Sequence, residues 1–234
     1  MSGIIIWCGD SWTYNSSQPR NLIKRTAYRT IVSQRLGLHS VNLSKPNTSI
    51  HHLAYQIPKI KRIAAKFDLP VYTVFGLTVP SRMCVESESG AKQTINAHSY
   101  DEKNYKSWAH NVFTDQFLAK QACITLGWIQ AQMDTPYCFM NALCTFNDFK
   151  SSIFSQYLDK SKWLIDPEWS AYGSLFGLDK FDFSKTAILE KTKHGKQCRK
   201  KYMLEDGHPN ELGNKLIADY ITQPLRTYFS VDKV

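Results

Sequence analysis

The sequence predicts an α/β fold built on a mostly parallel sheet, and three observations carry that prediction. Apolar runs of strand length recur along the chain, they are continuous rather than alternating, and amphipathic stretches separate them. Continuous β-branched or aromatic runs suit strands covered on both faces. They lie at 4–8 (IIIWC), 71–75 (VYTVF) and 137–146 (YCFMNALCTF), with a weaker run at 41–43 (VNL).

Each intervening stretch has a helical pattern. Leu22, Ile23, Tyr28, Ile31, Val32 and Leu36 stand among Arg and Lys over 21–36, and Leu53, Ile57, Ile60, Ile63, Ala64 and Phe67 mark 51–67. Val112, Phe113, Phe117, Leu118, Ile124, Trp128 and Ile129 mark 112–132, and Leu212, Leu216, Ile217, Tyr220 and Ile221 share a face over 210–229. Spacings of three and four residues place each set on one side of a helix. Two stretches are less regular. Residues 83–110 are polar, contain Gly90 and follow an apolar strand and Pro80, so they are expected to form a lid or insertion on a single domain spanning 1–234. Residues 150–185 carry Phe154, Tyr157, Trp163, Trp169, Tyr172 and Phe176 and are expected to cover the core.

With 234 residues, 43% of them hydrophobic, the chain can fill a substantial core, which excludes a disordered protein or a disulfide miniature. Basic residues outnumber acidic ones 29 to 20, a net charge of +9 that favours encounters with polyanions. The densest basic block, 191–201 (KTKHGKQCRKK), reads either as a solvated surface loop or as an attractor of anionic substrate. Nucleic-acid binding rests on charge alone, since no recognition module is present. The six cysteines (Cys8, Cys84, Cys123, Cys138, Cys144, Cys198) form no C-x-x-C pair, and four lie in apolar contexts, which points to free thiols in a reduced, cytoplasmic setting. No stretch of 18 apolar residues and no signal-like leader is seen, so no membrane span or membrane partner is predicted.

Two motifs could carry chemistry. Gly9-Asp10-Ser11-Trp12-Thr13 falls where the first strand stops, so Ser11 is expected in a tight strand-to-helix turn at the edge where α/β sheets bind ligands. The same residues would also serve as a plain helix N-cap. At the other end of the chain stands Asp206-Gly207-His208-Pro209-Asn210. A hydroxyl needs a base to become a nucleophile, and an imidazole serves best when a carboxylate fixes its tautomer. Asp206 can fold back across Gly207 onto Nδ1 of His208, leaving Nε2 for the serine, while Asn210 caps the following helix. Taken alone, this motif also reads as a capped turn.

Together the two motifs resemble the SGNH (GDSL-like) hydrolases, in which an N-terminal G-D-S block supplies the nucleophile and a C-terminal D-x-H or D-x-x-H block the base. The middle of the chain is similar too. Asn42-Leu43-Ser44-Lys45-Pro46-Asn47-Thr48-Ser49 resembles the second block and Phe75-Gly76-Leu77-Thr78-Val79-Pro80 the third. The Gly76–Arg82 form of that block is similar to SGNH-like proteins carried by tailed phages, which would place the chain in host cytoplasm or a virion. The resemblance implies a three-layer α/β/α sandwich and an ester hydrolase with Ser11 as nucleophile, His208 as base and Asp206 orienting it. It also implies an oxyanion hole at Ser11, Asn47 and Thr78, and a small-molecule or glycan ester as substrate. Asn47 replaces the family's glycine, and Thr78 its third-block asparagine. An O-acyltransferase with the same triad, or a non-catalytic module on the same fold, is the alternative.

No Gly-rich phosphate loop, dinucleotide fingerprint or zinc motif is present, so no cofactor is expected. His51-His52 is expected to be a solvated helix start, and His98 and His110 lie in or beside the expected lid without an evident carboxylate partner.

Overall fold

The computed structural model describes residues 3–14, 26–46, 48–80, 82–86, 92–96, 114–150, 152–178 and 188–231. Four parallel strands, β1 (Ile4–Cys8), β2 (His39–Asn42), β3 (Val71–Leu77) and β6 (Tyr137–Asn141), form one sheet in the order β2-β1-β3-β6. Helices α1 (Ser11–Tyr14) and α2 (Tyr28–Arg35) follow β1, and α3 (Ile50–Ala54) and α4 (Ile57–Lys66) follow β2. After β3 come an antiparallel hairpin, β4 (Arg82–Glu86) with β5 (Lys92–Asn96), and helix α5 (Asp115–Gln132). Beyond β6 lie three 3₁₀ turns (Phe146–Phe149, Ile153–Tyr157, Lys160–Lys162), α6 (Ala171–Ser174), α7 (Lys193–Tyr202) and α8 (Glu211–Tyr228).

The strands are apolar throughout because both faces are covered. Ile5, Trp7, Val74, Cys138 and Met140 pack on one side with Val32 of α2, Leu36 just past its end, and Ile217, Ile221 and Leu225 of α8. Ile4, Ile6, Cys8, Phe75, Leu77 and Phe139 pack on the other with Leu53, Ile57 and Ile60 of α3 and α4 and Ala122, Leu126 and Ile129 of α5. Period-two alternation along each strand feeds two cores, which is the three-layer sandwich.

Several expectations change in detail. The helix expected over 51–67 is two, because Pro58 lacks the N–H that would continue the first helix and instead sits in the first turn of the second. The last apolar run stops being strand at Asn141, whose Nδ2 donates to Pro167 and Trp169 carbonyls (both 2.9 Å) while its Oδ1 accepts from Trp163 Nε1 (3.1 Å). Those bonds fasten the aromatic segment over the core, burying Trp163, Trp169 and Phe176, whereas Tyr157 is exposed. The expected lid is not all irregular, since β4 and β5 occupy 82–86 and 92–96 and β4 runs beside α3. Two short strand-like segments, Met83-Cys84-Val85 and Gln93-Thr94-Ile95, on either side of Ser89-Gly90 fit a hairpin; the rest of 83–110, His98 and His110 included, lies outside the described residues. The basic block is mostly helical rather than a loop, because the Thr192 side chain caps α7 by accepting from Gly195 N–H (3.1 Å) ahead of good helix formers. His52 is buried, not solvated, while His51 is half-buried.

Candidate active site

The sheet order has one topological switch point. From β1 the chain passes to β2 on one side and then to β3 on the other, so the connections leave the carboxyl ends of β1 and β3 in opposite directions and open a crevice there. Cys8 of β1 is in register with Phe75 of β3, and Ser11 and Thr78 each stand three residues beyond that pair. Both are buried at this edge.

The turn carrying Ser11 is built by Asp10. Its Oδ1 accepts from Trp12 N–H (3.0 Å) and its carbonyl from Tyr14 N–H (2.9 Å), so Asp10 caps α1 and Ser11 becomes the first helical residue. Thr13 then fits between two strand ends. A Cβ on either Gly9 or Gly76 would collide with Thr13 Oγ1, so both glycines are needed for this close approach. Thr13 Oγ1 accepts from Tyr28 Oη (3.0 Å), and burial pushes the Tyr28 phenol well above its usual range, keeping it a donor.

The second block wraps the end of β1. Gly9 carbonyl accepts from Lys45 N–H (3.0 Å) and Thr48 Oγ1 (3.2 Å), and Trp7 carbonyl from Leu43 N–H (2.8 Å) and Ser44 Oγ (3.2 Å). These bonds bring 43–48 alongside the residues leading to Ser11; Asn47 itself lies outside the described residues. In the third block, Leu77 carbonyl accepts from the N–H groups of Ala142 (3.0 Å) and Leu143 (3.2 Å), which ties the β3 end to the chain leaving β6.

His208 is held by a local turn. His208 Nδ1 lies 3.2 Å from Asp206 Oδ2, and Asp206 Oδ1 accepts the His208 backbone N–H (3.1 Å), so one carboxylate fixes both ring and backbone. Gly207 between them has φ +83°, a conformation that favours glycine. Leu204 N–H donates to His208 carbonyl (2.8 Å), and Met203 bridges antiparallel to Pro209, closing the loop at its neck. The Asp206 side chain is 50% exposed and that of His208 18%, with His208 Nε2 enclosed. Asn210 Oδ1 accepts from Gly213 N–H (3.0 Å), the expected cap of the last helix.

A relay of hydrogen bonds joins the two ends of the chain. From Thr13 it passes through the Tyr28 hydroxyl to that residue's N–H, which donates to Asn214 Oδ1 (3.0 Å), and Asn214 Nδ2 donates to Pro209 carbonyl (3.0 Å). Trp12 stacks edge-on to Tyr172 at 5.4 Å and shares a core cluster with Met203. Thus Asp206 and His208 are in direct contact, and Pro209 beside them is linked through Asn214 of α8 and Tyr28 of α2 to Thr13 of α1.

Cysteine is a poor rival for nucleophile here. Burial pushes the thiols of Cys8 and Cys144, both at these strand ends, well above their usual range, so they stay protonated and inert. Among the described residues, no three His, Cys, Asp or Glu side chains converge as a metal site would require, and no helix is long and apolar enough to cross a membrane.

Solved structures with this architecture align over nearly the whole chain. A lipolytic protein of the G-D-S-L family from Veillonella parvula is 14% identical, with 95% of this chain and 97% of its own aligned and a TM-score of 0.45. A psychrotrophic esterase from Pseudoalteromonas sp. is 10% identical, with 97% and 99% aligned and a TM-score of 0.51. An acetylxylan esterase from Geobacillus stearothermophilus, solved as a catalytic mutant, is 12% identical, with 100% and 99% aligned and a TM-score of 0.51. The chain has the SGNH-hydrolase fold. No family model matches the sequence, and no curated protein does.

Within the SGNH fold, sequence reasoning missed Thr13 and Asn214. Thr13 matters because Gly9 and Gly76 leave room for it, and those residues meet only once β1 and β3 pair. Asn214 is a buried polar residue on an otherwise apolar helix face, a signal that was legible in the sequence.

Proposed function

We propose that this protein is a serine ester hydrolase acting on acyl esters, with O-acetyl esters of glycans as the substrate class. The observation that carries the reading is the pairing of Asp206 with Nδ1 of His208, which leaves Nε2 as the basic nitrogen, in a loop whose Pro209 is linked through Asn214 and Tyr28 to Thr13, two residues from Ser11. Esterases of the same fold support the reaction class, and the acetylxylan esterase supports the glycan ester.

In this reading Ser11 Oγ attacks the acyl carbonyl as His208 Nε2 takes its proton. Asp206 stabilises the imidazolium that forms. The oxyanion is held by the N–H of Ser11, the N–H of Asn47 and the Thr78 hydroxyl, a set of donors aimed at charge that develops only in the transition state. Collapse expels the alcohol, protonated by His208, and leaves an acyl-Ser11 ester. Water, deprotonated by His208, then attacks that ester and releases the acid and free Ser11.

A fluorophosphonate that reacts only with activated serines tests this. Mass spectrometry is expected to find the label on Ser11 in the native protein and none after denaturation. Labelling elsewhere, or equal labelling of both states, would remove the mechanism.

A further inference from the structure

The positive charge of this protein is concentrated. Six of its 29 basic residues and none of its 20 acidic ones lie in 191–201, so this short segment carries most of the net excess. Helix α7 arrays four of them on one side. At 3.6 residues per turn, Lys193, Lys196, Arg199 and Lys200 fall within a sector of roughly 120° and span on the order of 10 Å. All four are exposed, while buried Gly195 and half-buried Cys198 and Tyr202 face the protein. Among the described residues none of the four is in an ion pair.

Fold stability does not explain this stripe. Cations in the last turn complement the helix dipole, but Lys193 stands at the first turn, where the dipole disfavours it. Lys193 and Lys196, and Lys196 and Lys200, are like charges at three- and four-residue spacing, which repel. The stripe also adjoins the base loop. Asn210 N–H donates to Tyr202 carbonyl and Asn210 Nδ2 to Lys201 carbonyl (both 2.9 Å), so the last turn of α7 is bonded to the residue two beyond His208.

We propose that α7 is a docking strip for an anionic, O-acylated polysaccharide, gripped by Lys193, Lys196, Arg199 and Lys200 while one of its esters enters the Ser11 site. The proposal rests on the hydrolase reading above. A glycan fits better than the other polyanions. Single-stranded nucleic acid is held by aromatic platforms interleaved with the cations, and the exposed side of α7 offers none. An amphipathic helix that lies on an anionic membrane adds an apolar face to its cations, and α7 turns its less polar side inward. The repeating unit of a nucleic acid also carries no acyl ester, so an esterase beside the strip would have nothing to cleave.

The test compares the parent with K193Q/K196Q/K200Q, in which glutamine keeps length and helix propensity; unchanged thermal melts establish that both are folded. Binding is measured to polygalacturonate, to neutral xylan and to a DNA oligonucleotide, at low and at physiological salt. Turnover is measured on acetylated polygalacturonate, acetylated xylan and 4-nitrophenyl acetate. The parent is expected to bind polygalacturonate, and to lose about tenfold or more in affinity with added salt or with the triple substitution, because each released counterion contributes. It is also expected to deacetylate the uronan about tenfold more efficiently in kcat/KM than the xylan, the advantage vanishing in the variant. Equal binding of polygalacturonate and xylan, unchanged binding by the variant, or tighter binding of DNA than of polygalacturonate overturns the strip. Turnover of 4-nitrophenyl acetate without uronan binding also overturns the strip but leaves the hydrolase standing; uronan binding without any turnover overturns the hydrolase reading instead.

Discussion

The two halves of the candidate site are held by different kinds of structure. Around Ser11 the constraints are long-range: Gly9, Gly76, Thr13, Ser44 and Thr48 meet because β1, β2 and β3 pair, and all five are buried. Around His208 they are local: one carboxylate, one left-handed glycine and one bridge close a loop of a few residues, half open to water. The placement of Ser11 therefore depends on the fold as a whole, whereas that of His208 depends on its own turn. Substitutions of the residues that build the two sides should separate accordingly, those at Gly9, Gly76 and Thr13 costing stability and those in the Asp206–His208 loop costing rate.

Ser11 and His208 give the largest expected effects. Ser11→Ala and His208→Ala should each lower turnover of a short activated ester by about 10⁴-fold or more, with melting temperatures within a few degrees of the parent. Ester turnover persisting in purified Ser11→Ala would refute the nucleophile assignment. Next is Thr78, buried at the end of β3. Thr78→Val keeps the shape and removes the hydroxyl, and loss of one oxyanion donor should lower kcat by about 10²–10³-fold with KM nearly unchanged. If kcat stays within a fewfold, the hole consists of backbone N–H groups.

Asp206 sharpens the contrast between the sides. A buried triad carboxylate is worth about 10⁴ in kcat, but Asp206 is 50% exposed, and water screens its field at the imidazole. Asp206→Asn should therefore cost only about 10–10²-fold in kcat, since the effective dielectric near a surface is high. A full 10⁴-fold loss in steady-state kinetics would mean that the carboxylate becomes buried when substrate binds.

The same division explains what could be read from the sequence. The strands showed because apolar runs covered on both faces leave a one-dimensional trace, and the Asp206–His208 pair showed because its partners are two residues apart. Asn210 as a cap was legible for the same reason. The Thr13 wedge was not, because nothing near Gly76 in the sequence says that it will lie against Gly9. The burial of His52 was not legible, because it comes from how α3 packs in the fold and not from its neighbours in the sequence. The basic block read as a loop because charge density masked its cap at Thr192.

The wedge can be broken and repaired. Gly76→Ala should destabilise by about 1–3 kcal/mol, the usual cost of overpacking, because its Cβ meets Thr13 Oγ1. Thr13→Ala removes that oxygen and leaves 3.6 Å to the remaining Cβ, so the double variant should recover part of the loss. Gly9→Ala should not recover, because its Cβ would also lie 2.7 Å from Thr13 Cβ. Urea unfolding of the three single and two double variants reads both cycles; equal rescue of the two glycines would mean that Thr13 moves freely and wedges nothing.

The smallest effect lies away from both halves and is read by pH. His51 Nδ1 is 2.8 Å from Thr125 Oγ1, and that hydroxyl donates to Gln121 carbonyl (3.0 Å), so Nδ1 carries the proton that Thr125 accepts. Nε2 is enclosed with no hydrogen-bond partner, and burial lowers the His51 pKa from its usual 6.5. The unfolded chain therefore binds a proton near pH 6.5 that the folded chain resists. Since stability rises with pH wherever the unfolded state holds more protons, this residue contributes stability above that pH and loses it as pH falls toward the depressed folded value. His51→Asn keeps an N–H near Nδ1 but cannot titrate. The variant should melt somewhat below the parent at neutral pH, having lost ring packing, and the gap should narrow on acidification below pH 6.5. Parallel melting curves from neutral pH down to pH 5 would show that His51 takes up its proton equally in both states, and that its burial does not reach the ring.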